Sequence, residues 1–189
     1  MTAAADIRIE EWRPDPASLE EDVAMLGEVL RAVVYAGAGV SFFVPFPEDE
    51  ARAFWRDSVL PGVRDGSRRV LVARRAARIV GTVQLVLAAP PNQRHRADVA
   101  KMLVHPEARR GGIARALMTA LEGVARAEAR TLLTLDTVTG SGAETLYRSL
   151  GYVTVGVIPR YARASLTPDL EATTIMYKEL AAVTSPDPA

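Results

Sequence analysis

The sequence contains no cysteine and only two histidines, His95 and His105. Without thiols it can build neither a disulfide framework nor a cysteine nucleophile, and two histidines are too few for a histidine-rich metal site. No metal is expected. Long apolar runs are missing as well: none approaches the roughly 20 residues that cross a bilayer. Residues 1–13 carry acids and no apolar signal core, so export and membrane association are not expected and the cytoplasm is the expected location. Lys plus Arg and Asp plus Glu each number 23, giving a formal net charge of zero. With no basic tail and no aromatic-basic repeat, nucleic acid is not an expected partner.

What is present is ordinary for one soluble domain: 189 residues, 49% hydrophobic and 24% charged. The domain is expected over residues 1–183. Residues 184–189 have too little apolar surface to order themselves and are expected to fray.

Residues 98–118 are the organising stretch. The apolar-rich run 98–104 predicts a strand, which Pro106 should end because it cannot donate to a sheet ladder. Arg109, Arg110, Gly111 and Gly112 then lead into Ile113, Leu117, Leu121 and Val124, spaced as the buried stripe of an amphipathic helix. The glycines therefore sit at a helix N-terminus, where free backbone N–H groups and the macrodipole favour an anion. Two adjacent arginines suit a phosphate-bearing ligand. The same residues can equally make a plain strand-to-helix turn with solvated arginines, and the short motif leaves both readings open.

The rest of the chain supplies alternating strands and helices. Strands are expected at 7–12, 70–74, 79–88, 132–137, 152–158 and 173–179. Helices are expected after Ser18 as N-cap, after Pro47 until Pro61-Gly62, from Ile113, and from 143 to 150, where Ser141 and Glu144 have capping-box spacing and Gly151 a C-terminal stop. Between the first two helices, Gly37 and Gly39 precede Phe42 and Phe43 in a pliable apolar loop, either a packing turn or a wall of a substrate pocket.

The segment Arg109-Arg110-Gly111-Gly112-Ile113-Ala114 resembles the Gln/Arg-x-x-Gly-x-Gly/Ala turn of the GNAT acyltransferase superfamily. Ala143-Glu-Thr-Leu-Tyr147-Arg-Ser-Leu-Gly151-Tyr152 is similar to that superfamily's Ala-x-x-Leu-Tyr-x-x-x-Gly-Phe segment, with Tyr152 in place of Phe. The order strand, two helices, three strands, helix, strand, helix, two strands is also that of the GNAT fold. Residues 96–104, Leu135-Asp136-Thr137 with Gly140-Ser141, 155–161 and the early glycine loop look like segments of the acetyltransferases that confer tabtoxin resistance. The resemblance implies a single-domain α/β GNAT fold, with a mixed sheet of about seven strands flanked by about four helices.

It implies acetyl-CoA as co-substrate, with Leu103 and Val104 meeting the pantetheine arm through their backbones and Arg109, Arg110, Gly111, Gly112, Ile113 and Ala114 holding the pyrophosphate. Tyr147 matches the tyrosine that acts as general acid toward the coenzyme sulfur. Asp98 lies six positions before Val104, where many members carry a glutamate proposed as base. One methylene shorter, it suits a water relay or the binding of a substrate ammonium, against an alternative ion pair with Arg96 or Lys101. Asp136, at a strand end, is either a second carboxylate facing the acceptor or a cap of the next helix. With Phe42 and Phe43 limiting acceptor size, the expected substrate is a small amine or amino acid derivative, toxins or antibiotics of the tabtoxin type included. Protein N-terminal or lysine acetylation, and a non-catalytic acyl-CoA-binding module, are the alternatives. Many members have an asparagine seven residues before the tyrosine; Gly140 stands there instead. Either a monomer or a homodimer is compatible with these readings.

Overall fold

A computed structural model describes residues 7–87 and 89–181. Among them seven strands form one sheet: β1 (Ile7–Glu11), β2 (Arg68–Arg75), β3 (Arg78–Val86), β4 (Arg96–Val104), β5 (Leu132–Val138), β6 (Val153–Arg163) and β7 (Leu170–Glu179). Their order is β1-β2-β3-β4-β5-β7-β6, antiparallel throughout except where β4 meets β5. The helices are α1 (Leu19–Tyr35), α2 (Glu48–Ala53), α3 (Leu60–Arg64), α4 (Ile113–Ala127) and α5 (Gly142–Ser149). Wide turns at Phe54–Val59 join α2 to α3 end to end, so the sheet is flanked by four helical rods. This is the expected mixed α/β GNAT fold in a single domain.

Both sheet faces are covered, which follows from central strands whose middle residues are apolar on both sides, such as Val70 to Ala73 of β2. In β2, Leu71 and Ala73 pack toward α4 with Val83, Leu85, Leu117 and Leu121, while Val70 and Val72 pack toward α1 with Leu26, Leu30 and Trp55. That is the alternation a pleated strand imposes. Trp12 and Trp55 meet edge to face at 6.5 Å in the second cluster, and the Trp12 indole N–H donates to Asp22 at 3.0 Å.

β4 departs from the alternation, and the departure shapes everything beyond it. Thr82 pairs with Leu103 and Gln84 with Ala100, so β4 carries one residue more than β3 across this step. The bulge contains Lys101, whose φ of 48° lies in the left-handed region. It shifts the pattern by one residue: Ala97 and Val99 face α4, but Leu103 turns toward α1 and Val104 takes the α4 face.

Four expectations need correction. The second helix does not stop at Pro61: the Leu60 N–H bonds the carbonyl of Trp55, five residues back, and the widened turns accommodate the proline as α3 begins. Ser18 stands at the N-cap of α1 without a side-chain capping bond; the Asp15 side chain instead accepts from the Ala17 N–H at 2.9 Å. β6 runs on to Arg163, because a second irregularity between Ile158 and Ala162, with Arg160 at φ 55°, absorbs Pro159 before pairing with β7 resumes. β7 correspondingly starts at Leu170 rather than 173. The expected end of the third strand at residue 88 and the tail 184–189 lie outside the described residues. The expected cap, by contrast, is half present: Ser141 Oγ accepts from the Glu144 N–H at 3.2 Å, while the Glu144 carboxylate reaches one residue past the N-cap and accepts from the Gly140 N–H at 2.5 Å.

α4 and α5 are clamped to the sheet by one lysine. Lys178 of β7 donates to both oxygens of Glu122 on α4 at 2.7 Å and to the carbonyl of Leu150, just after α5, at 2.7 Å. Glu122 is 7% exposed, and Arg126, 3.8 Å away, is too distant to take over as a hydrogen-bond donor. Lys178→Met should therefore destabilise the fold by about 3 kcal/mol, since it strands a buried carboxylate, and adding Glu122→Leu should recover most of the loss. Urea unfolding midpoints of the single and double variants check this.

Candidate active site

β4 and β5 are paired only at Arg96–Leu132, Ala97–Leu133 and Asp98–Thr134. Beyond that point β5 continues along β7 to Val138 while β4 bends away at its bulge. The strands open around a cleft of about 510 Å³, lined by residues 36–41, 99–104 and 136–138, by Arg109 and Ala114, and by the α5 residues Ala143, Leu146 and Tyr147. Along residues 99–104 the β5-facing edge of β4 has no strand partner among the described residues. An extended ligand with amide groups can supply one.

The glycine turn stands at one end of this edge. Arg110 and Gly112 both have positive φ, 64° and 76°, which turns the chain sharply into α4. Gly112 is the N-cap and has no side chain to occupy the first N–H groups of the helix. Nothing lies within 4 Å of where its Cβ would be. Arg110, Gly111 and Gly112 are exposed, Ala114 lines the cleft, and the Ile113 side chain is buried in the core, so only its backbone is available to a ligand. Arg109 lines the cleft and its Nε donates to the Val104 carbonyl at 3.3 Å. An open helix N-terminus with two guanidinium groups beside it is suited to a pyrophosphate.

Tyr147 and Asp136 meet inside the cleft. Burial, and secondarily the charge of Asp136, push the Tyr147 phenol well above its usual range. It therefore stays protonated at neutral pH and can act as a proton donor. Asp136 is exposed to the cleft and accepts from the Thr173 hydroxyl at 3.3 Å. It does not cap α5, a role taken by Ser141. Gly140 does not line the cleft, whereas Ser141 does.

Asp98 is placed differently from the expectation. It lies in the paired part of the strands, bound to Arg96 and to the Thr134 hydroxyl, and it does not line the cleft. The ion-pair alternative with Arg96 is the one observed. The phenylalanines also turn elsewhere: Phe42 stacks on Phe46 at 4.6 Å in the α1 core, and Phe43 lies outside under the Arg163 guanidinium at 4.4 Å. The wall comes instead from the glycine part of that loop. It is anchored rather than pliable, since the Ser165 hydroxyl donates to the Ala38 carbonyl and the Val44 N–H to that of Ser165 at 2.9 Å. Gly39 packs so tightly on Val138 that an added Cβ would come within 2.4 Å of it.

The sequence offers Lys101 only as an ion-pair partner for Asp98 and does not single out Ser41. Lys101 lines the cleft, donates to Ser41 Oγ at 3.1 Å and lies 5.9 and 5.8 Å from the ring centres of Phe42 and Phe54. Burial lowers its pKa, with the Asp136 charge opposing and Arg68 reinforcing the shift. A signal was present: Leu103 and Val104 are adjacent apolar residues that break the 97, 99 alternation, which is the mark of a bulge. A second groove of about 530 Å³, over the outer face of α1, gathers charges such as Glu48 and Arg52 that pair with each other.

Residues 66–154, from just before β2 into the start of β6, match the acetyltransferase (GNAT) domain family. The chain is also similar to three solved structures. One is yncA of Salmonella typhimurium with its cofactor acetyl-CoA, at 19% identity and TM-score 0.72 over 97% of this chain and 99% of that one. A ribosomal-protein-alanine N-acetyltransferase of Brucella melitensis shares 24% identity at TM-score 0.74 over 92% and 99%. A GCN5-related N-acetyltransferase of Kribbella flavida shares 21% at TM-score 0.72 over 92% and 98%. At these identities the structures speak for the fold, and none points to the tabtoxin-resistance branch. The segment that matches the acetyltransferase (GNAT) domain family holds the glycine turn, the unpaired edge of β4, Asp136 and Tyr147, so the part of the chain that builds the cleft is the part in which the likeness lies.

Proposed function

We propose that the protein transfers the acetyl group of acetyl-CoA to the nitrogen of a small amine or amino acid derivative, with β-lactam amino acids of the tabtoxin type among the candidates. The observation that carries this reading is the cleft itself: an anion-binding helix terminus, an unpaired strand edge, a protonated tyrosine and a carboxylate lie along one opening. The acceptor is small in this reading because the tethered wall at 36–41, packed on Val138, leaves little room for a peptide chain beside β5.

Acetyl-CoA would supply an acetyl group already activated as a thioester. The α4 N-terminus with Arg109 and Arg110 neutralises its pyrophosphate, and the backbones of Leu103 and Val104 hold the pantetheine amides. Asp136 binds the acceptor ammonium and, through water, passes one of its protons to solvent, leaving a neutral amine whose lone pair attacks the acetyl carbon; the second proton the nitrogen sheds as the amide forms restores the one Tyr147 gives up. Tyr147 gives its proton to the sulfur as the carbon–sulfur bond breaks. Asp98, tied to Arg96 and Thr134, is a positioning residue for the strand pair in this scheme.

At about 100 times its dissociation constant, acetyl-CoA should stabilise the protein by roughly 2.7 kcal/mol. Gly112→Asp places a carboxylate where the phosphate should lie and is expected to abolish that gain in a thermal-shift titration. Its apo midpoint should change little, because aspartate tolerates the left-handed region better than most residues. A full shift in the variant would remove the turn from the binding site.

In a thiol-release assay, Tyr147→Phe should lower kcat by about a hundredfold or more while leaving coenzyme affinity near wild type. Asp136→Asn should lower kcat/KM for amines by about tenfold or more, and Asp98→Asn should stay within about threefold of wild type. Competition between small polar amines, tabtoxin-type amino acids included, and short peptides decides the acceptor class. Preference for peptides would replace the small-molecule reading with protein acetylation.

A further inference from the structure

The sequence holds just two lysines, Lys101 and Lys178. Lys178 is saturated by Glu122 and the Leu150 carbonyl. Lys101 has no carboxylate within 4.0 Å among the described residues, although it is half-buried at the wall of the cleft. Its neighbours offer a hydroxyl, Ser41 at 3.1 Å, two aromatic rings, the attraction of Asp136 without a direct ion pair, and the like charge of Arg68. Arg68 is itself engaged by Gln84 at 2.6 Å rather than by a carboxylate. A desolvated ammonium beside a second cation is costly unless an anion completes it. The position is also strained, since lysine at φ 48° is uncommon, and strain of this kind collects where ligands are clamped.

The expectation of two carboxylates facing the acceptor is therefore replaced by one carboxylate and one ammonium lining the same cleft, Asp136 on β5 and Lys101 on β4. We propose that Lys101, with the Ser41 hydroxyl, receives a carboxylate of the acceptor while Asp136 receives its ammonium, so that the acceptor is a zwitterionic amino acid rather than a simple cationic amine. This rests on the acetyltransferase reading above and names the substrate class for the same site. The bulge is what makes it possible, because an unbulged β4 would not hold residue 101 in this conformation at the parting of the strands.

The test uses the intact protein with ¹³Cε-labelled lysine, whose two signals are assigned with Lys101→Met. The CoA-saturated protein is titrated with each proteinogenic amino acid and with the matching amino acid amide. At least one amino acid should move the Lys101 signal, its amide should not, and Lys178 should stay still. In thiol-release kinetics, Lys101→Met should raise KM for the responding amino acid by about tenfold or more, change kcat by less than about threefold, and leave any amide unaffected. Equal response to acids and amides, or no response to any amino acid, would overturn the proposal. So would a Lys101→Met variant that slows acids and amides alike. Turnover of amides with a silent Lys101 signal would discard the carboxylate site and keep the acetyltransferase; a carboxylate-dependent shift without turnover would keep the site and discard the enzyme.

Discussion

Three residue pairs, ending at Asp98 and Thr134, are all that joins β4 to β5. A parallel pair cannot simply be left open, because an unpaired strand edge is a row of unsatisfied donors and acceptors. The bulge at Lys101 bends β4 away, and Ala114 of α4 and Ala143, Leu146 and Tyr147 of α5 line the opening. Each part of the site depends on that separation. The edge of β4 becomes available, Val104 lies next to the α4 terminus through Arg109, and Tyr147 reaches the cleft from α5. Had the strands remained paired to their ends, the glycine turn would be an ordinary loop at the top of a closed sheet.

The same geometry explains why the two aspartates have different surroundings. Asp98 and Asp136 sit on adjacent strands, but Asp98 falls in the last paired position and Asp136 two residues beyond its partner strand's equivalent, Thr134. In the paired region Arg96 and Thr134 are within reach of Asp98, and both engage its Oδ1. Past the fork, Asp136 meets open space, Thr173 and the field of Lys101. Position relative to the fork, rather than residue type, decides which carboxylate is available to a ligand.

What was legible in the sequence is local. Gly112 at a helix start, the Ser141–Glu144 cap and the stripe of Ile113, Leu117 and Leu121 are each set by interactions within a few residues, and they stand where their spacing indicates. Element order carried the fold. The site was less legible because it is built by pairing between distant strands. An alternation argument applied to β4 assumes regular pleating, so it could not place Asp98 relative to the fork or bring Lys101 into the cleft. Phe42 was misjudged for a related reason: its partners Phe46 and Phe54 belong to a core that only the packing of α1 and α2 on the sheet creates. Likewise Pro61 and Pro159 are breakers in regular structure, but a π-type turn and a bulge remove the hydrogen bond each would have cost.

A forked sheet has to stay open without collapsing, and the surrounding contacts show how. β5 keeps seven pairs with β7 from Leu132 to Val138, so the arm that leaves β4 is rigid along its whole length. Lys178, from that same β7, fixes α4 and the end of α5 together through Glu122 and Leu150. On the other bank, β4 is held by β3 to its last residue, Val104 with Gly81, where the backbone comes within 3.0 Å of an added glycine Cβ and α4 packs directly above. Both banks are thus over-determined by contacts outside the cleft, and closing it would require breaking a β5–β7 ladder or lifting α4. A site held open in this way loses little conformational entropy on binding, which leaves more of the interaction with an extended ligand to appear as affinity.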